Sequence, residues 1–364
     1  MRHIQTEILQ VNPDHPEPAI IERAAALVRQ GEVVVFPTET VYGLGADAFQ
    51  PAALERIFAA KGRPYSDPLI VHIADEESLQ LLTPTVSAQA KLLVEAFWPG
   101  PLTLILPRGS RVPDLISAGL PTVAVRMPRH PVAQALIRAA GSPIAAPSAN
   151  RFMHVSPTTA QHALDDLAGR VPLILDGGSS KVGVESTVLD LVSPVPTILR
   201  PGGISLESLR VVLPSVQPPR RREAVSEPMH LQTEMGVQHL PASSPGQMLI
   251  HYAPSVPLLL FEGEPQAMRT AMANEARKRR AWGERVGVLV ADEDVAAFQG
   301  SDVVVHSLGS VPEQIASALY AGMRALEASG VQVILCRSFD ERGLGLAIHD
   351  RLLKAAGGKI FQSA

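Results

Sequence analysis

Val33-Val34-Val35-Phe36-Pro37-Thr38-Glu39-Thr40-Val41-Tyr42-Gly43-Leu44-Gly45 is the stretch that decides the fold class. Three β-branched valines and a phenylalanine read as a short buried strand, and Pro37 ends it. The polar, glycine-bearing run from Pro37 to Gly45 reads as a loop, and Pro51 is placed to open the next helix. Upstream, Ile20, Ile21, Ala24, Leu27 and Val28 recur at helical spacing over 18–30, with Gly31 as the stop. Helix, strand, loop and helix follow one another, so the class is α/β.

Further strands are expected at 69–73, 102–106, 122–126, 172–175, 186–191 and 197–200. Helices are expected at 87–97, 131–140, 157–168 and 205–212. The 186–200 pair reads as a hairpin around Ser193-Pro194-Val195-Pro196. A twisted mixed sheet flanked by helices is therefore expected for residues 1–213. From 214 to 254 prolines fall among polar residues and no hydrophobic period persists, which reads as a linker. Residues 255–364 then alternate regularly: strand 256–261, helix 265–281, strand 286–290, a short helix, strand 302–306, helix 312–328, strand 331–336 and helix 346–356. That rhythm predicts a smaller, Rossmann-like parallel domain.

Composition removes several classes. Of 364 residues 46% are hydrophobic, yet no run approaches the roughly 18–20 apolar residues of a membrane span. The N-terminus does not read as a secretory signal. Cys336 is the single cysteine, which excludes an intrachain disulfide and a multi-cysteine metal site, so a cytoplasmic location is expected. A net charge of −4 and 4% aromatic content argue against a dedicated nucleic-acid binder. The Walker phosphate loop, the Gly-x-Gly-x-x-Gly fingerprint and His-Glu-x-x-His are all missing.

What remains is polar chemistry at strand ends. Lys61-Gly62-Arg63-Pro64 places two cations where a polyphosphate can be approached. Arg126 closes the apolar strand Thr122-Val123-Ala124-Val125, either clamping a carboxylate or phosphate bidentately or reaching solvent. Ser156 with Pro157 suits a helix N-cap, and the same amides suit an anion. Glu185-Ser186-Thr187 and Arg200-Pro201-Gly202-Gly203 add hydroxyls and a further cation. No Ser-His-Asp or Cys-His set accompanies them. The inventory favours positioning and charge neutralisation of a phosphoanhydride.

Eight motifs occur in order: Pro37-Thr38-Glu39-Thr40-Val41-Tyr42-Gly43-Leu44, Lys61-x-Arg63-Pro64, Pro99-Gly100-Pro101-x-Thr103, Arg126-x-Pro128, Pro147-Ser148-Ala149-Asn150, Ser156-Pro157-Thr158, Ser186-Thr187-Val188 and Arg200-Pro201-Gly202. Together they resemble the YrdC-like threonylcarbamoyl-AMP synthase family in its long form. Pro245-Gly246 and His251-Tyr252-Ala253-Pro254 resemble the end of that family's linker, which folds over the active site. Gly343-x-Gly345-x-Ala347-Ile348-x-Asp350-Arg351 resembles its last domain.

The resemblance implies synthesis of threonylcarbamoyl-AMP from L-threonine, bicarbonate and ATP, with pyrophosphate released. Lys61, Arg63 and Arg126 would carry catalysis. Threonine would contact Thr40, His72, Arg126, Ala146 and Ser186. ATP would contact Lys61, Arg63, Asp67, Thr122, Ser148, Asn150, Ser156, Arg200 and His251 or Tyr252. Magnesium would arrive with the triphosphate, without a dedicated protein ligand. The product would pass to a tRNA-modifying threonylcarbamoyl transferase, with weak or no direct tRNA binding and no membrane association.

Two positions depart from the family pattern. Arg151-Phe152-Met153-His154 stands where a small Ser-Gly pair is usual. Asp67 stands where asparagine is common, and needs magnesium or Lys61 to offset its charge. Two competing readings are an RNA-binding module, using Arg220-Arg221-Arg222 and Arg277-Lys278-Arg279-Arg280, and the carbamoyl chemistry of hydrogenase maturation. A single cysteine argues against the latter.

Overall fold

The structure, a computed structural model, describes residues 4–219 and 252–363. Strands β1 (Glu7–Gln10), β2 (Val34–Phe36), β3 (Gly43–Asp47), β4 (Ile70–His72), β5 (Leu102–Pro107), β6 (Thr122–Arg126), β7 (Ile144–Ala145), β8 (Leu173–Asp176), β9 (Thr187–Asp190) and β10 (Thr197–Arg200) form one mixed sheet. Its order is β1-β8-β2-β3-β7-β4-β6-β5-β9-β10. The pairs β1/β8, β8/β2, β4/β6 and β5/β9 are parallel and the other neighbours antiparallel.

Both faces are covered, as the unbroken apolar strands require. Val34 and Phe36 turn to one face, against the helices Pro18–Arg29 and Pro131–Ala140. Val33 and Val35 turn to the other, where Pro51–Lys61, Ala88–Phe97 and Ala160–Leu167 pack. Alternation within one apolar run thus divides its side chains between two cores.

Three expectations need correction. Residues 43–45 are not loop but the start of β3, which returns antiparallel on β2. Gly45 is required there, because a Cβ would lie 2.6 Å from both Phe36 and Ile144. The helix expected from 157 begins at Ala160, and Thr159 caps it by accepting from the His162 amide. Ser156 is therefore not the cap. Edge strands β1 and β15 (Ile360–Ser363) were not anticipated: each is short and half-exposed, so neither carries a clean hydrophobic period.

The second sheet consists of β11 (Leu258–Gly263), β12 (Val286–Val290), β13 (Val304–Ser307), β14 (Val333–Arg337) and β15, all parallel, in the order β13-β12-β14-β11-β15. The helix Pro265–Ala281 covers one face through Met268, Met272 and Ala276. Helices Pro312–Ala328 and Gly345–Ala356 cover the other.

This second helical layer also buries Val41, Val155 and Val184 of the first domain together with Tyr252. Each fully buried valine contributes about 1.5–3 kcal/mol. The fit is close at Gly183, where φ is 76° and a Cβ would meet the Ser317 Cα at 2.4 Å. Cys336 is buried within β14, and burial pushes its thiol up to about 12. No helix among the described residues is long and apolar enough to cross a membrane.

Candidate active site

A cleft opens beside the parallel pair β4/β6. Thr40, Arg63, His72, Arg126, Ala146, Ser148, Ser186, Arg200 and Tyr252 all line it. The register sets His72 beside Arg126 at the carboxyl ends of the two strands.

Arg126 is buried and held on three sides. Its Nε donates to the Gly100 carbonyl at 3.2 Å, and Nη1 donates to Thr40 Oγ1 at 2.9 Å. Nη2 lies 2.7 Å from Glu39 Oε1, yet neither atom meets hydrogen-bond geometry. The contact is a poorly aligned ion pair, so donor capacity remains for an incoming carboxylate. Thr40 is itself fixed by the turn that Thr38 organises, whose hydroxyl donates to the Val41 carbonyl at 2.6 Å. Beside them His72 is buried with Nδ1 unpartnered. Burial first, and then the Arg126 charge, holds its pKa down to about 3, so the ring is neutral at physiological pH. A buried orphan nitrogen facing a cleft marks a place for a ligand.

Two further arginines line the cleft. Arg63 donates from Nε to the Asp67 carbonyl at 3.1 Å and from Nη2 to the Pro68 carbonyl at 2.7 Å. The Asp67 carboxylate lies 2.9 Å from Nη2. Arg63, a cation not considered for this role from the sequence, is thus a close partner that offsets Asp67. Arg200 donates to the Ser186 carbonyl at 3.0 Å and to its hydroxyl at 3.1 Å, while Ser186 also bonds Thr103 Oγ1 at 2.7 Å.

Five expected residues lie apart from the cleft lining. Lys61 is buried behind it, and its Nζ donates to the carbonyls of Ser148 at 2.6 Å and Asn150 at 2.5 Å. Burial and the Arg63 charge push its pKa well down. Asn150 accepts from the Ser148 hydroxyl at 2.5 Å and donates to the carbonyls of Arg151 and His154, both at 2.8 Å. Asp67 supports Arg63 from behind. The Ser156 hydroxyl donates to Glu185 at 2.6 Å. Thr122 begins the strand that Arg126 ends, roughly 13 Å away at about 3.3 Å per residue. His251 lies outside the described residues, as do Arg220, Arg221 and Arg222.

The bulky departure at 151–154 has a structural partner. His154 bridges to Ala253, whose amide donates to the Met153 carbonyl at 2.9 Å. The loop thereby seats the segment that brings Tyr252 to the cleft.

Residues not assigned from sequence complete the surroundings. Glu39 neighbours Arg126, and Glu185 lines the cleft. Glu185 takes a 2.6 Å hydrogen bond from Arg351 Nε and one of 2.9 Å from the Tyr320 hydroxyl. Desolvation alone would raise its carboxyl. The Arg351 and Arg200 charges, with hydrogen bonds from Ser156 and Arg351, instead hold it down to about 2. The C-terminal motif ending in Arg351 was visible in the sequence, but nothing local there shows that it crosses to Glu185.

A buried guanidinium beside a neutral imidazole, opposite further arginines, defines an α/β enzyme site for a small carboxylate next to a larger anion. The comparisons sharpen that class. A family model described as "Telomere recombination" matches residues 26–202, and one for the threonylcarbamoyl-AMP synthase C-terminal domain matches 204–357. The threonylcarbamoyl-AMP synthase of Bacillus subtilis is 44% identical, with 94% of each chain covered. That of Schizosaccharomyces pombe is 37% identical, covering 92% of this chain and 88% of its own. The crystal structure of Pyrococcus abyssi Sua5 complexed with L-threonine superposes with a TM-score of 0.88 at 41% identity, covering 98% of this chain and all of that one. The chain belongs to the threonylcarbamoyl-AMP synthase family.

Proposed function

We propose that this chain makes threonylcarbamoyl-AMP from L-threonine, bicarbonate and ATP, releasing pyrophosphate. The observation that carries the reading is one cleft lined both by Arg126, Thr40 and His72 and by Arg63 and Arg200. Relatives named threonylcarbamoyl-AMP synthase, matching over 94% of this chain, support it.

Arg126 takes the threonine carboxylate on its fork, and Thr40 and Ser186 fix the amino acid's position. His72, being neutral, adds no cation beside the amine. The neutral threonine amine adds to bicarbonate, and water leaves. A carbamate oxygen then attacks the α-phosphorus while the bond to the β-phosphate oxygen breaks, so pyrophosphate carries the electron pair away. Arg63 and Arg200 stabilise the charge that develops on the phosphoryl oxygens. Lys61 acts from the second layer, holding the Ser148–Asn150 turn against the nucleotide. Tyr252 covers the cleft and limits water, which would hydrolyse both carbamate and adenylate.

Magnesium enters as part of the ATP substrate. The described residues contain no group of three or more His, Cys, Asp or Glu side chains able to hold a metal, and Glu39, Asp67 and Glu185 each face an arginine. No protein ligand is assigned to it. The adenylate then serves a tRNA-modifying threonylcarbamoyl transferase.

Pyrophosphate release should require threonine and bicarbonate together. Release at the same rate from ATP alone would refute the reading.

A further inference from the structure

We propose that Arg351, on the last helix of the second domain, is a positioning residue for the nucleotide half of the cleft. It does so by neutralising Glu185 and bracing Tyr252. The inference rests on the function proposed above.

Arg351 is fully buried and does not line the cleft itself, yet it reaches from the second domain to Glu185, which does. Every arm of its guanidinium is committed. Nε donates to Glu185 at 2.6 Å, Nη2 donates to the Pro201 carbonyl at 2.9 Å, and Nη1 pairs with Asp350. Pro201 follows Arg200 directly, so one fork grips both a cleft carboxylate and the backbone that carries a cleft arginine. The flat face of the fork lies 4.9 Å from the Tyr252 ring centre. Tyr320 approaches the same ring at 5.8 Å and bonds Glu185 at 2.9 Å. Tyr252 itself sits at φ 60°, a left-handed conformation that a residue with a large side chain adopts only when its surroundings impose it.

The physical need is plain. Glu185 lines a cleft that must accept a triphosphate, and an uncompensated buried carboxylate there would repel it. Arg200 supplies part of the compensation through its charge, and it also holds Ser186. The close counter-charge comes from the second domain. That domain therefore completes the site for ATP and leaves the threonine end, built from the first domain's Arg126, Thr40 and His72, unaffected.

The test is steady-state pyrophosphate release by the full chain, with ATP and threonine varied in turn. Arg351→Met should raise KM for ATP at least about tenfold while KM for threonine stays within about threefold. Adding Glu185→Gln removes the stranded charge and should bring KM for ATP back to within about threefold of the original chain. Rescue of that kind is not expected of a merely structural arginine. An unchanged KM for ATP in Arg351→Met, an equal rise for both substrates, or no rescue in the double variant overturns the proposal. Should Arg351→Met fail to fold, Arg351→Lys keeps the charge and decides: a KM for ATP within about threefold of the original chain supports it, and a rise of about tenfold, or one shared with threonine, sinks it. Absence of threonine-dependent release from the unmodified chain would instead strike the proposed function.

Discussion

Two strands end alike and do different things. Thr122–Arg126 and Val333–Arg337 are both short, apolar and closed by a buried arginine, one in each sheet. Arg337 is saturated: Nε donates to Asp294 at 2.6 Å, Nη2 to Glu293 at 2.5 Å, and the fork stacks 4.7 Å from Phe339. Asp294 takes a second arginine, Arg269, at 2.9 Å. Arg126 faces a carboxylate that is close but badly aligned, and next to it His72 Nδ1 has no partner. A strand-end arginine is therefore not a site in itself. Unfinished hydrogen bonding around it, opening onto a cleft, is what separates recognition from architecture.

The sharpest way to break the comparison is to truncate both arginines. Arg126→Ala should lower kcat/KM for threonine by ~10²–10³ in the folded fraction, measured by pyrophosphate release. Arg337→Ala should instead cost mainly stability, about 1.5–3 kcal/mol, by leaving Asp294 with Arg269 alone, and should leave kcat/KM of the folded fraction unchanged. Equal activity losses would erase the distinction.

A smaller effect is expected at Lys61, which stands behind the cleft. Lys61→Ala should reduce kcat by roughly tenfold, with KM for threonine within about twofold. A larger effect on threonine than on turnover would move Lys61 to the wrong end of the cleft.

Between the domains, Gly183→Ala forces a side chain onto the Ser317 backbone at positive φ and should cost about 1–3 kcal/mol in chemical denaturation. The smallest expected effect concerns acid. Ionisation of Glu185 is favoured by folding, since its carboxyl is held at about 2 against an ordinary 4.5. Its contribution is complete above pH 4.5 and fades as pH falls toward 2. The stability gap between the unmodified chain and Glu185→Gln should therefore narrow over that interval. A gap that widens on acidification would contradict the assignment.

Much of this was legible in the sequence, for identifiable reasons. The helices Pro265–Ala281 and Pro312–Ala328 fall where proline and apolar spacing put them. The strand residues Val123–Val125 and Val286–Val290 carry no polar side chain because both faces are buried. Strand β3 was hidden because Gly43 and Gly45 look like loop residues, whereas glycine is demanded there by the closeness of Phe36 and Ile144. Ser156 looked like a helix cap because Pro157 follows it. Its true partner, Glu185, is 29 positions away. Glu185 and Arg351 are separated by 166 positions, and no local pattern encodes a contact of that span. Motif order marked both neighbourhoods, but only folding shows that they meet.

The buried thiol of Cys336 has a practical consequence. With its proton held so firmly inside β14, the chain offers electrophilic dyes no ready target of its own. A cysteine placed on an exposed helix face would be the sole site labelled, so fluorescent reporters can be attached one domain at a time without first removing a native residue.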